Sequence, residues 1–128
     1  MARPPAKELT ERELEIMHVI WNSGQESTVQ EVRDALAAAG HERAYTTVAT
    51  LVRILHDKGF IEQTNDQRPF RFRAARTYEK VSGSLLRDML DRVFRGSREQ
   101  LLVRLVEEKR LTAKERAMLE ALLKEQQR

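Results

Sequence analysis

The tetrapeptide Phe70-Arg71-Phe72-Arg73 interrupts the helical periodicity that runs through the rest of the chain. Successive side chains of a strand point to opposite faces, so this stretch offers Phe70 and Phe72 to a core and Arg71 and Arg73 to something anionic. Phe60-Ile61-Glu62-Gln63 lies just upstream, with the polar turn Asn65 to Arg68 between them and Pro69 suited to an edge position. The two segments read as one hairpin.

Three helices are expected before it. Thr10-Glu11-Arg12-Glu13 is a capping box, in which Thr10 and Glu13 satisfy exposed backbone N–H groups reciprocally. Leu14, Met17 and Trp21 follow on one stripe, widened by Ile16 and Ile20, until Asn22-Ser23-Gly24. A second box, Thr28-Val29-Gln30-Glu31, opens a shorter helix whose Val29, Val32 and Leu36 face inward and which Gly40 stops. The third begins near Tyr45, buries Val48, Leu51, Val52 and Leu55, and turns Thr46, Ala49, Thr50 and Arg53 outward before Gly59. Three short helices and a hairpin make the winged-helix order, with the third helix as reader and the hairpin as wing.

The outward row of the third helix is small enough to approach base edges, its threonine methyls suited to thymine methyls and its hydroxyls to bases or phosphates. Arg68, Arg71 and Arg73 fit phosphate oxygens on the same logic, while Arg76 fits either a phosphate or the cap of the next segment. Net charge is only +3, but residues 42–76 carry seven Lys/Arg against four Asp/Glu. At this point a solvated helix face and a charge-guarded strand edge remain open as alternatives.

From Thr77 the texture becomes continuous helix. Val81, Leu85, Met89 and Val93 recur every fourth residue, reinforced by Leu86, Leu90 and Phe94, until Gly96. Ser97-Arg98-Glu99-Gln100 restarts the chain with Leu101, Leu102, Leu105 and Val106 inside, and Thr112-Ala113-Lys114-Glu115 caps a last helix carrying Met118, Leu119, Leu122 and Leu123. Three short helices cannot bury this many apolar side chains among themselves. A second copy supplies the missing surface, so a homodimer is expected, with Leu85, Leu86, Met89, Leu90, Val93, Leu102, Leu105, Leu119 and Leu122 in its seam. The fold class is mainly α with a small β-hairpin: a winged helix-turn-helix domain over 1–76 and a helical dimerisation domain over 77–128.

Zero cysteines exclude disulfides, thiolate metal sites and cysteine nucleophiles. No apolar run approaches membrane-span length and the opening MARPPAKELTE lacks the apolar core of a signal peptide, so a soluble cytoplasmic protein without membrane insertion is expected. His18, His41 and His56 lack metal-site spacing, and no H-E-x-x-H, Gly-x-Ser-x-Gly, phosphate loop or dinucleotide fingerprint occurs; Ser82-Gly83-Ser84 sits in a helix without a base nearby. The expectation is a protein that is no enzyme and has no cofactor and no metal. Two competitors stand beside a DNA reader: a winged-helix module for a protein partner, which needs an apolar outer face on the third helix, and a repressor released by a small-molecule ligand held among the tail helices.

The blocks LTERELEIMHVIW (Leu9 to Trp21), YTTVATLVRILHDKGFIEQ (Tyr45 to Gln63) and RPFRFRAA, in that order, resemble the penicillinase and methicillin-resistance repressors of the BlaI/MecI family, which includes the copper repressor CopY. The resemblance covers nearly the whole chain, though in the tail only length and helix order match. It implies a homodimeric repressor that binds double-stranded DNA at a palindromic operator, controls a resistance or stress operon and is relieved by a membrane sensor protease. Thr47 and Thr50 coincide with the threonines of the family's T-V-x-T recognition segment, and Tyr45 and Thr46 occupy the approach to the groove. Ala49 stands where the staphylococcal repressors carry an arginine. The cysteine hook of copper-responsive members is missing, and Arg104-Leu105 aligns with the Asn-Phe bond cut in the resistance repressors.

Overall fold

The computed structural model describes residues 9–108 and 110–126; the first eight residues, read for a leader, and the outer limits of the two expected domains lie outside them. Helix α1 spans Glu11–Ser23, α2 Val29–Ala38 and α3 Tyr45–Asp57. Both capping boxes form. Thr10 Oγ1 accepts from the Glu13 N–H at 3.1 Å while Glu13 Oε1 accepts from the Thr10 N–H at 2.7 Å, and Thr28 and Glu31 repeat the exchange at 3.1 and 2.9 Å. Gly59 follows α3 with φ +82, a left-handed turn that suits glycine and redirects the chain into the sheet.

The expected hairpin is part of a three-stranded antiparallel sheet. Strand β1 is Ser27–Thr28, β2 is Ile61–Gln63 and β3 is Arg71–Ala74, in the order β1-β3-β2. Ser27 pairs with Phe72 and Thr28 with Arg71. Thr28 must be extended to cap α2, with φ −82 and ψ 165, and that same backbone gives β3 a second edge to pair with.

The core gathers Ile16, Met17 and Ile20 of α1, Val32 and Leu36 of α2, and Val48, Val52 and Leu55 of α3. Phe60, Ile61 and Phe72 cover it from the sheet side, and Val81 closes it. Val81 belongs to α4, Tyr78–Val93, so the first compact unit runs through Leu85, past the boundary expected at residue 76. Trp21 accounts for this extension: its indole Nε1 donates to the Arg76 carbonyl at 2.9 Å, and its ring stacks on Tyr78 with centroids 5.3 Å apart, while His18 meets Trp21 edge-on.

The second unit, Leu86–Arg128, contains the rest of α4, then α5 (Arg98–Glu108) and α6 (Ala113–Gln126). The Thr112 capping box forms, with Thr112 and Glu115 exchanging hydrogen bonds of 2.8 and 3.1 Å. Side chains expected inside these helices are not covered: Leu102, Leu105, Val106, Met118, Leu119, Leu122 and Leu123 are all exposed, and α5 and α6 bury no described residue.

One charged group lies deep in the first unit. Glu13, 2 % exposed, accepts from Lys58 Nζ with both oxygens at 3.0 Å, so the start of α1 holds the end of α3. Burial pushes the Glu13 carboxyl up, but its contacts with the Thr10 backbone, Lys58 and the Thr10 side chain outweigh this and hold it below the usual glutamate range. A depressed folded-state value stabilises the protein above the ordinary carboxylate range, and the contribution is lost as pH falls through that lowered value. Lys58→Met should cost about 1–3 kcal/mol at neutral pH, less than the ~3–5 of a fully buried broken pair because Lys58 is partly solvated. Urea unfolding at pH 7 and pH 4 checks this: the gap between wild type and variant should narrow at the lower pH, because Glu13 without Lys58 takes up a proton more readily than it does in the wild type.

Candidate nucleic-acid interface

Helix α3 is held against α1 at both ends. Behind it, Lys58 reaches Glu13; ahead of it, Arg43 Nη2 reaches both oxygens of Glu15 at 2.9 and 3.2 Å. His41 and Arg12 also approach Glu15, at 3.5 and 3.6 Å. With Val48, Val52 and Leu55 buried, the opposite face presents Thr46, Thr47, Thr50 and Arg53 to solvent, with Tyr45 exposed at the leading end and Ala49 half-buried. An outer face of threonines and an arginine is not the apolar surface that a protein-docking module needs.

Two local details set what this face can do. Thr50 Oγ1 donates to the Thr46 carbonyl at 2.9 Å, so its hydroxyl proton is engaged while its oxygen lone pairs and methyl remain available. The N-cap of α3 is Ala44, which makes no side-chain cap, in contrast to the threonine boxes of α1 and α2. The amides of its first turn thus remain suited to an anion such as a phosphate.

Between α3, the start of α2 and the wing lies an open groove of about 870 Å³. Tyr45, Ala49, Arg53 and His56 line it from α3, Val29 and Gln30 from α2, and Gln63, Arg68, Phe70 and Phe72 from the wing. The Arg68 guanidinium lies over the Phe70 ring, 5.5 Å from its centroid. Gln30 and Gln63 were not singled out from the sequence; no motif marks them, because only the fold brings them beside α3.

Arg71 and Arg73 stand on the other face of β3, outside the groove lining, and each already has a carboxylate. Arg71 Nη1 lies 3.6 Å from Glu31, and Arg73 is bonded to Glu62, its register partner on β2. Glu62 raises the Arg73 value above its ordinary one, and Thr28, with a smaller contribution from Arg71, holds the Glu31 carboxyl low. The alternation of faces is therefore as the sequence indicates, but the anions that these two arginines meet in the free protein are its own glutamates.

The residues expected in a dimer seam divide. Leu86, Met89, Val93, Leu102, Leu105, Leu119 and Leu122 are exposed and Leu90 is half-buried, whereas Leu85 packs against the core of the first unit. Arg104 and Leu105 are exposed on α5, with Arg104 paired to Glu108 at 3.4 Å. Among the described residues no cluster of metal-ligating side chains occurs, and no helix is long and apolar enough to cross a membrane.

Three helices, a short first strand and a two-stranded wing, with the third helix turned outward, define a winged helix-turn-helix protein. Solved structures share this fold: that of H. salinarum RosR (15% identity, TM-score 0.52, 94% of both chains) and a MarR family protein from Bacillus stearothermophilus (16% identity, TM-score 0.50, 94% of this chain and 74% of that one). The family model described as penicillinase repressor matches residues 9–125, and the Mycobacterium tuberculosis protein "Transcriptional regulator BlaI" is 32% identical over 100 residues, 77% of this chain and 72% of its relative. The chain belongs to the penicillinase repressor family, the BlaI/MecI/CopY group, and is a DNA-binding transcriptional repressor rather than an enzyme.

Arg53 and Arg68 are free of carboxylate partners in the contacts described above, whereas Arg71 and Arg73 are not, and salt titration separates the two classes. If only Arg53 and Arg68 neutralise phosphates, each chain covers ~2 and contributes about −1.8 to the slope of log affinity against log salt. If Arg71 and Arg73 leave their glutamates, each chain covers ~4 and contributes about −3.6. The first value is expected, and Glu62→Gln should steepen it.

Proposed function

We propose that the chain acts as a homodimer on a palindromic operator, reading bases through Thr46, Thr47 and Thr50 of α3 and holding the backbone through Arg53, Arg68 and the approach at Tyr45 and Thr46. Arg71 and Arg73 add affinity only where phosphate outcompetes Glu31 and Glu62. The observation that carries the dimer is the apolar surface of the second unit: Leu86, Met89, Val93, Leu102, Leu105, Leu119 and Leu122 are too many to leave in water on one soluble chain. A second copy presents the same surface and covers it symmetrically. Release by a sensor protease would act at the exposed Arg104-Leu105 segment, which stands where the resistance repressors carry their cleaved Asn-Phe bond and departs from it at both residues.

Sedimentation tests the dimer and band shifts test the reading. Wild type should sediment as a dimer at micromolar concentration, and Leu122→Asp, placing a charge in the seam, should shift it toward monomer. Half-sites should be separated by about one helical turn or a small multiple, so inserting five base pairs turns one head to the far side of the duplex and removes the gain from dimerisation. Thr50→Ala should change the preferred base pair by ~1–3 kcal/mol of discrimination. Equal loss on operator and scrambled duplex would reject its reading role.

A further inference from the structure

The wing loop between β2 and β3 is closed by one side chain. Asn65 Nδ2 donates to the Gln67 carbonyl at 2.9 Å and to the Pro69 carbonyl at 3.2 Å, while its Oδ1 accepts from the Arg71 N–H at 2.7 Å. The Asn65 carbonyl in turn accepts from Gln63 Nε2 at 2.6 Å, and Thr64 closes the ladder with its N–H 2.8 Å from the Arg71 carbonyl. These bonds touch the backbone on both sides of Arg68, whose guanidinium lies over Phe70 at the mouth of the groove. Asn65 therefore sits inside the loop and Arg68 stands on its rim.

We infer that Asn65 is a positioning residue for DNA binding: it preorganises the wing so that Arg68 meets the duplex already in place. This rests on the proposed role of the wing. The chemistry follows from the counts of donors and acceptors. One asparagine amide can satisfy three backbone groups of a short loop at once, which a hydrophobic or a single-hydroxyl side chain cannot. Without it, the loop and the Arg68 side chain must be ordered when DNA binds, and immobilising such groups weakens affinity by about two- to twelvefold. The charge is still present, so the number of phosphates neutralised is unchanged.

The test is a double-mutant cycle on the full chain, with Asn65→Ala, Arg68→Ala and the double variant titrated against operator and scrambled duplex over a range of salt. Arg68→Ala should weaken binding to both duplexes and reduce the dimer's salt slope by about 1.8, one contact per protomer. Asn65→Ala, acting in both wings of the dimer, should weaken both by about fourfold to a hundredfold with the salt slope kept. In the Arg68→Ala background the Asn65 change should cost less than about twofold, because the residue it positions is gone. Thermal unfolding should move little for either variant, since both residues lie off the core. If Asn65→Ala unfolds the chain, Asn65→Ser, which keeps one donor and one acceptor, carries the same cycle.

Equal losses from Asn65→Ala in both backgrounds, or no loss at all while Arg68→Ala weakens binding, would overturn the inference and leave the wing reading intact. An Arg68→Ala variant that binds like wild type with an unchanged slope would instead overturn the wing reading on which it rests.

Discussion

Two ion pairs to one helix decide what α3 can present. Hydrophobic burial of Val48, Val52 and Leu55 fixes which face of α3 turns inward, and directional ion pairs at both of its ends add to what side-chain packing sets of its tilt and position. Arg43 to Glu15 ahead of α3 and Lys58 to Glu13 behind it are these pairs, and both carboxylates lie on α1 within one turn of each other. Glu13 also completes the cap of its own helix, so the group that starts α1 is the group that anchors the end of α3. The threonine row depends on this bracing for its placement.

Much of this was legible in the sequence because it is local. Capping boxes span three residues, so Thr10, Thr28 and Thr112 marked helix starts that the structure reproduces. The inward faces of the first three helices followed from their period, and so did the alternation of Phe72 and Arg71 across β3. What was not legible depends on partners distant in the chain. Nothing in Ser27-Thr28 announces a strand; it becomes one only because Phe72 and Arg71 come alongside. Arg71 and Arg73 were read by face but not by occupant, since Glu31 and Glu62 are brought to them by the α2 start and the strand register. Glu13 shows the same limit: its capping role is readable, its burial against Lys58 is not.

The two units differ in how completely they satisfy their own apolar side chains. The first closes a core from four helices and a sheet, with Leu85 drawn in although its spacing matches the seam residues that follow. Helical period identifies an apolar stripe but not what covers it, and along α4 the burial falls from Val81 and Leu85 on the first unit's core to the exposed Leu86, Met89 and Val93. The same spacing therefore marks Leu85 and Leu86 alike, although Leu85 packs against the core of the first unit and Leu86 is exposed.

Trp21 is the only tryptophan in the chain, and its surroundings give it a use outside recognition. Its indole N–H donates to the Arg76 carbonyl, its face stacks on Tyr78 and His18 meets it at a steep angle, so these contacts tie α1 to the start of α4 and the residues just before it. Release of that junction would expose the indole to water and separate it from Tyr78, changing both its emission wavelength and its energy transfer from tyrosine. The protein thus carries an intrinsic optical probe for the attachment of α4 to the winged-helix core, read without any added label.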